Sequence, residues 1–193
     1  MTKDAAHPVK LFKTEKAWAD WLEKNAGKAP GIWMRIAKKS AALKSIAYPE
    51  VLDIALCYGW IDGLRKTHDD ESFLQKFTPR TKKSFWSKIN RDKALALIES
   101  GRMRPAGFAE IERAKKDGRW DAAYDSARTS GVPDDLKAAF DKNPKAEAFF
   151  DTLNAQNRYA VLFRIQTATK AETRKKRIDT FVEMLARKEK FYP

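Results

Sequence analysis

The chain has 193 residues and carries 39 Lys and Arg against 26 Asp and Glu, a formal charge of +13. An apolar share of 43%, with six Trp and eleven Phe, is enough to build a core in one ordinary domain or two small ones, so wholesale disorder is excluded. A single cysteine, Cys57, excludes an internal disulfide, and with no signal-type segment and no apolar run of 18 residues, a cytoplasmic protein without a transmembrane segment is expected.

In chain order, Thr14 can cap a helix in which Trp18, Trp21 and Leu22 share a face, ending before Gly27 and Pro30. GIWMRIAKK alternates like a strand. PEVLDIALCYG puts Pro49 in a first helical turn, a stripe of Val51, Leu52, Ala55 and Leu56 behind it, and Gly59 at its end. WIDGLRKT and SFLQKFTPR then read as two strands of an antiparallel hairpin whose turn is the polar run His68, Asp69, Asp70, Glu71. Residues near Leu64 to Lys66 are expected opposite Phe73 to Gln75. Ser87 or Asn90 can cap a helix through Ala94, Leu95, Leu97 and Ile98 that Gly101 closes. Met103 to Gly107 reads as a tight turn, and Phe108 to Lys116 as a helix ended by Gly118. The pattern weakens from Arg119 to Gly131. Beyond it four helical stripes follow: Leu136, Ala139, Phe140; Ala146, Phe149, Phe150, Leu153; Tyr159, Leu162, Phe163, Gln166, broadened by Val161 and Ile165; and Ile178, Phe181, Val182, Leu185. The expectation is an α+β fold, predominantly helical: a small antiparallel β-sheet in an N-terminal domain of residues 1–131, then a C-terminal helical bundle of residues 132–193.

The stretch CYGWIDGLRKTHDD, residues 57–70, invites a catalytic or metal reading because it gathers a thiol, a histidine and three carboxylates. Contiguous ligands in a turn point apart, and the two histidines of the chain are far from one another, so no metal site is expected. Cys57 sits on an apolar stripe near a helix C-terminus, where the dipole disfavours a thiolate, so a buried, inert thiol is expected. Phosphate loops and nucleophile elbows are missing. No cofactor and no catalytic residue is assigned, and a non-enzymatic protein is favoured over an enzyme.

Two candidate sites remain. One is a pocket for a small polar or anionic ligand lined by Trp60, Asp62, Arg80, Ser84, Trp86 and Asn90, in which Arg80 is the natural partner of the Asp62 carboxylate. The other is an anion-binding cluster of Arg80, Lys82, Lys83 and Lys88 beside Phe85 and Trp86. In a second basic run, Arg174 and Arg177 share one side of a helix while Lys175 and Lys176 splay away. The cationic surplus suits an anionic ligand, an acidic protein or nucleic acid, and no base-reading motif singles out the last.

The ordered segments YPEVLDIALCYGWIDG, FTPRTKKSFWSKIN, SGRMRPAG and DGRW resemble the bacterial YdeI/OmpD-associated, or bacteriocin-protection, proteins. The part from VPDDLKAAF to RIDTFVEML resembles the short helical module of that name. Motif positions matching the family are Tyr48, Trp60, Asp62, Gly63, Arg80, Ser84, Trp86 and Asn90, then Arg158, Glu172, Thr173, Arg174, Arg177 and Ile178. The resemblance implies a stress or antimicrobial-peptide resistance protein, and it brings no established reaction, cofactor or catalytic residue. With no signal sequence, a meeting with an outer-membrane porin is not expected.

Overall fold

A computed structural model describes residues 7–193. The elements in chain order are β1 (Val9–Lys10), α1 (Glu15–Asn25), β2 (Ile32–Ala37), α2 (Tyr48–Cys57), β3 (Trp60–Thr67) and β4 (Ser72–Pro79). Six helices follow: α3 (Lys88–Glu99), α4 (Pro105–Lys116), α5 (Asp134–Asp141), α6 (Pro144–Thr152), α7 (Ala155–Gln166) and α8 (Ala171–Ala186). The fold is α+β, with the sheet in the N-terminal part and helices after it. Among the described residues no helix is long and apolar enough to cross a membrane. The chain divides into two compact units, one running to Ser84 and including Asp92–Arg113, the other formed by Phe85–Arg91 and Ala114–Pro193.

In the first unit the sheet order is β1-β2-β4-β3. The hairpin of β3 and β4 and the pairing of β2 with β4 are antiparallel, while β1 adds a parallel edge to β2. That edge was not anticipated, because two residues are too short to show an alternating pattern. Pairing places Ile32 opposite Phe77, Met34 opposite Gln75 and Ile36 opposite Phe73, so these side chains share one face. Helices α1 and α2 cover that face. Trp18, Trp21, Trp60, Phe77 and Phe12 form an aromatic cluster there, with Trp18 and Trp21 stacked at 5.4 Å and Trp60 edge-on to both. The opposite face carries Trp33, sheltered by the Lys66 ammonium 4.2 Å from its ring centre.

Local chemistry explains the helix limits. Thr14 Oγ1 accepts a hydrogen bond from the Ala17 amide at 3.2 Å and caps α1. Gly59, at φ +73°, ends α2 in the left-handed region that the expected glycine stop requires. Cys57 is buried at that end, and burial, ahead of the opposing influence of Arg102, pushes its thiol pKa up. Met103 to Gly107 is not a separate turn. Pro105 opens α4, since a missing amide costs nothing at the first helical position, and the helix runs on from there.

The second unit holds the four expected helices and a core of Leu136, Phe140, Phe150, Val161, Ile165, Ile178, Phe181 and Leu185. On α7 the core side is Ala160, Val161, Leu162 and Ile165, so Leu162, Val161 and Ile165 lie where expected, while Tyr159 and Phe163 are half-buried. Those two rings serve the irregular segment of residues 117–131. Tyr124 packs edge-on to Phe163 at 4.8 Å, and the Tyr159 hydroxyl donates to the Asp125 carbonyl at 3.0 Å. Burial first, then Tyr124 and Asp125, raises the Tyr159 pKa to about 12. A helix apolar on two sides serves two partners, and a single stripe cannot represent that.

Candidate anion-binding cleft

The residues singled out from sequence fall in both units: Trp60, Asp62, Arg80 and Ser84 in the first, Trp86 and Asn90 in the second. Trp60 is 1% exposed, its indole N–H donating to the Ala26 carbonyl at 3.2 Å, and its ring belongs to the aromatic core. The Asp62 carboxylate accepts the Tyr48 hydroxyl at 2.7 Å, so its partner is a tyrosine of α2. Arg80 is 5% exposed, its amide donating to the Gly59 carbonyl at 2.9 Å. Ser84 Oγ accepts the Thr81 amide at 2.9 Å and shapes the turn after β4. Trp86 is buried edge-on against Trp120 at 4.9 Å, and Asn90 is buried with its amide donating to Ser87 Oγ at 3.1 Å, which makes Ser87 the cap of α3. In the cluster read as anion-binding, Lys82 and Lys83 are exposed and Lys88 is paired with Asp125 at 2.8 Å.

A different set of cations meets around an open cleft in the first unit. Its volume is about 800 Å³, and Lys13, Lys38, Lys39, Lys44 and Arg65 line it with no carboxylate among the lining residues. The walls are residues 38–47 on one side, the first turn of α2 on another, and the end of the helix-facing sheet surface at Ile36 and Phe73.

Each wall has a local cause. The segment of residues 38–47 has no regular structure and is pinned by hydrogen bonds. The Ala37 amide donates to Ser45 Oγ at 2.9 Å, the Ile46 amide to the Phe12 carbonyl at 3.1 Å, and the Leu43 amide to Glu71 Oε1 at 3.2 Å. Lys38 is anchored twice to the hairpin turn, its amide donating to the Glu71 carbonyl at 2.7 Å and its Nζ to the Asp69 carbonyl at 2.8 Å. Asp69 is itself occupied by Ser72 Oγ at 2.6 Å and the Arg35 guanidinium at 2.7 Å, and these contacts, Ser72 foremost, hold its carboxyl below the usual range. The nearby acids Asp69 and Glu71 thus build the wall behind the lining residues.

Arg65 reaches the cleft through an irregularity. Strand pairing runs from Asp62 opposite Phe77 to Arg65 opposite Gln75, so β3 carries one extra residue between them. The Gln75 amide donates to the Gly63 carbonyl at 2.9 Å and to that of Leu64 at 3.3 Å, satisfying the backbone of the bulge. A regular ladder would put Leu64 opposite Gln75 and turn Arg65 to the other face. The bulge instead places the Arg65 guanidinium 3.8 Å over the Phe73 ring, on the helix side, and leaves Leu64 61% exposed.

Tyr48 joins this wall from the start of α2. Burial, then the hydrogen bond to Asp62, raises its pKa well above the usual tyrosine value, against the pull of Arg65, so the phenol stays a donor. The α2 N-terminus is also uncapped: Ala47 makes no side-chain hydrogen bond to the first turn. The first turn holds Pro49, which has no N–H, and Glu50, whose carboxylate opposes the positive end of the helix dipole.

Several cations elsewhere are paired. Arg35 meets Asp69, Lys93 meets Asp53, Arg119 meets Asp117 and Arg174 meets Asp135. Among the described residues, no hydrogen bond or ion pair involves the side-chain nitrogens of Lys13, Lys39, Lys44 or Arg65. Sequence reasoning passed over this set, although one signal was present. No Asp or Glu occurs between Glu23 and Glu50, while Lys24, Lys28, Arg35, Lys38, Lys39 and Lys44 all fall there.

Fold and cleft together define a two-unit α+β protein with a cationic cleft whose lining holds no carboxylate. The family model for the domain of unknown function DUF8412 matches residues 10–110, just over half of the chain, and the model described as bacteriocin-protection, YdeI or OmpD-associated, matches residues 129–188. The chain belongs to the DUF8412 family and carries the YdeI/OmpD-associated domain after it. No curated protein and no solved structure matches it.

Proposed function

We propose that the protein is a non-enzymatic binding protein that takes a small anionic ligand in the cleft between residues 38–47 and the open end of the sheet. The observation that carries this reading is the set Lys13, Lys38, Lys39, Lys44 and Arg65 around one cavity with no carboxylate in its lining. Like charges repel, so holding them together costs stability in the free protein, and an anion relieves that cost on binding. The bacteriocin-protection description of the second domain fits resistance exerted through such a ligand. Direct capture of a cationic peptide fits poorly, because a chain of net charge +13 repels it.

The test is a thermal-shift titration with a panel of anions, comparing the native protein with a Lys39→Ala, Lys44→Ala variant and a Lys82→Ala, Lys83→Ala control. Ligand binding to the native state raises the unfolding midpoint in proportion to occupancy. At least one small anion is expected to stabilise the native protein and the Lys82, Lys83 control alike, and to stabilise the Lys39, Lys44 variant far less. Equal stabilisation of the Lys39, Lys44 variant and the native protein would refute the cleft as the site.

A further inference from the structure

The composition of the cleft narrows the ligand further, an inference that rests on the anion-binding reading above. We propose that the ligand is an organic phosphate monoester, its phosphate gripped by Arg65 and the lysines of residues 38–44 and its carbon body laid on the apolar wall.

Three observations lead there. The first is Arg65. Its guanidinium carbon lies 3.8 Å from the Phe73 ring centre, and among the described residues nothing hydrogen-bonds to it. A guanidinium carries a planar fork of N–H donors, which matches two oxygens of a phosphate. The second is the number of cations. Lys13, Lys39 and Lys44 accompany Arg65, and Lys38 Nζ has spent one hydrogen on the Asp69 carbonyl and holds two more. A monocarboxylate satisfies one such cation, whereas a phosphate dianion offers three strong acceptor oxygens and nearly two charges at neutral pH. The first turn of α2 meets the same cleft through Tyr48 and Pro49.

The third observation is size and polarity. At about 800 Å³ the cleft far exceeds a bare inorganic anion and lies within the range for organic ligands. Ile36, Leu43, Pro49 and Phe73 supply an apolar surface beside the cations. A fully hydrated anion would leave that surface in water, and a ligand with an apolar or aromatic body covers it. The phosphate can belong to a soluble ester or to a lipid headgroup, and the same contacts serve both.

The experiment uses the full chain and isothermal titration with phenyl phosphate, benzoate, inorganic phosphate and tripolyphosphate, together with sedimentation on phosphatidylcholine vesicles with and without phosphatidic acid. Phenyl phosphate is expected to bind at least about tenfold more tightly than benzoate, for its added charge-assisted hydrogen bonds, and than inorganic phosphate, for the apolar ring it buries. Arg65→Lys, which keeps the charge but loses the planar fork, is expected to weaken phenyl phosphate about tenfold or more and to change tripolyphosphate little. Binding to phosphatidic acid vesicles in place of phenyl phosphate, lost in the same variant, assigns the ester to a lipid. The inference is overturned if benzoate binds as well as phenyl phosphate, or if no ester in either arm responds to Arg65→Lys. In that event, continued tripolyphosphate binding that depends on Lys39 and Lys44 leaves the anion-binding reading standing, whereas loss of all cleft-dependent binding removes both.

Discussion

At Gly107 the backbones of α2 and α4 come too close for any side chain. A Cβ built there would lie 2.3 Å from Met103 Sδ, 2.5 Å from the Cys57 carbonyl oxygen and 2.9 Å from that of Leu56. Two of those atoms are backbone, so a methyl group must move a helix and cannot merely turn a rotamer. Gly107→Ala is therefore expected to destabilise the protein by about 1–3 kcal/mol, the usual cost of overpacking, with a lower urea midpoint and an unchanged slope. A neutral result would mean that α4 does not pack against the end of α2 as described. This glycine looked like part of a turn in the sequence, because Pro and Gly together are strong turn signals. What the sequence could not convey is that Pro105 starts a helix and that Gly107 is small for the sake of a neighbour 50 residues away. Residue types with one dominant local role were legible: Thr14 as a cap, Gly59 as a helix stop and Cys57 as a buried thiol all act through their own helix.

Among the elements, β3 shows how one residue redistributes chemistry. The hairpin and its turn follow from alternation and the polar run of residues 68–71, and both were legible. The register came out within one residue of the expectation, with Arg65, Lys66 and Thr67 opposite Gln75, Leu74 and Phe73, and what alternation did not show is the bulge between Asp62 and Arg65. Gly63 was the available signal, since a lone glycine in a strand pattern marks a bulge. Reading it so would have moved Arg65 to the helix-facing side and into the cleft. On α8, helical geometry alone was enough: Arg174 and Arg177 share a side and both reach α7, Arg174 donating to the Ile165 carbonyl at 3.0 Å and Arg177 to that of Arg164. Arg174 also clasps Asp135 at the start of α5 through two hydrogen bonds of 2.6 and 2.8 Å. That contact holds the Asp135 carboxyl below its usual range. A depressed folded-state pKa contributes stability that is present above the unfolded carboxylate value and is lost as pH falls through the folded one. Asp135→Asn is expected to cost about 1 kcal/mol at neutral pH, a figure suited to a part-exposed bidentate pair, and the difference from native should vanish in acid below the ordinary carboxylate range. Urea denaturation of both proteins across that pH range checks it, and a difference that persists undiminished in acid would show that the ion pair is not its source.

For the whole molecule, net charge alone does not place an anion site. The sequence directed attention to Arg80, Lys82, Lys83 and Lys88, a dense run beside aromatic residues. Density along the chain is not density in space: Arg80 is buried and Lys88 has its own carboxylate partner. The cleft draws its cations from residues 13, 38, 39, 44 and 65, three separate segments brought together by α2, the sheet and the loop between them. Such a gathering depends on strand register and loop anchoring, which no local pattern records. An attraction of this kind is screened by salt, with a range near 8 Å at physiological ionic strength, so binding should weaken steadily as salt is raised.

The most direct test is a titration of the isotope-labelled protein with tripolyphosphate at low salt, followed by amide chemical shifts. The largest, saturable changes are expected at residues 37–48, Arg65 and Phe73, reversed by added salt and reduced in the Lys39→Ala, Lys44→Ala variant. Changes centred on residues 80–90, or spread evenly over exposed lysines, would contradict the cleft as the site.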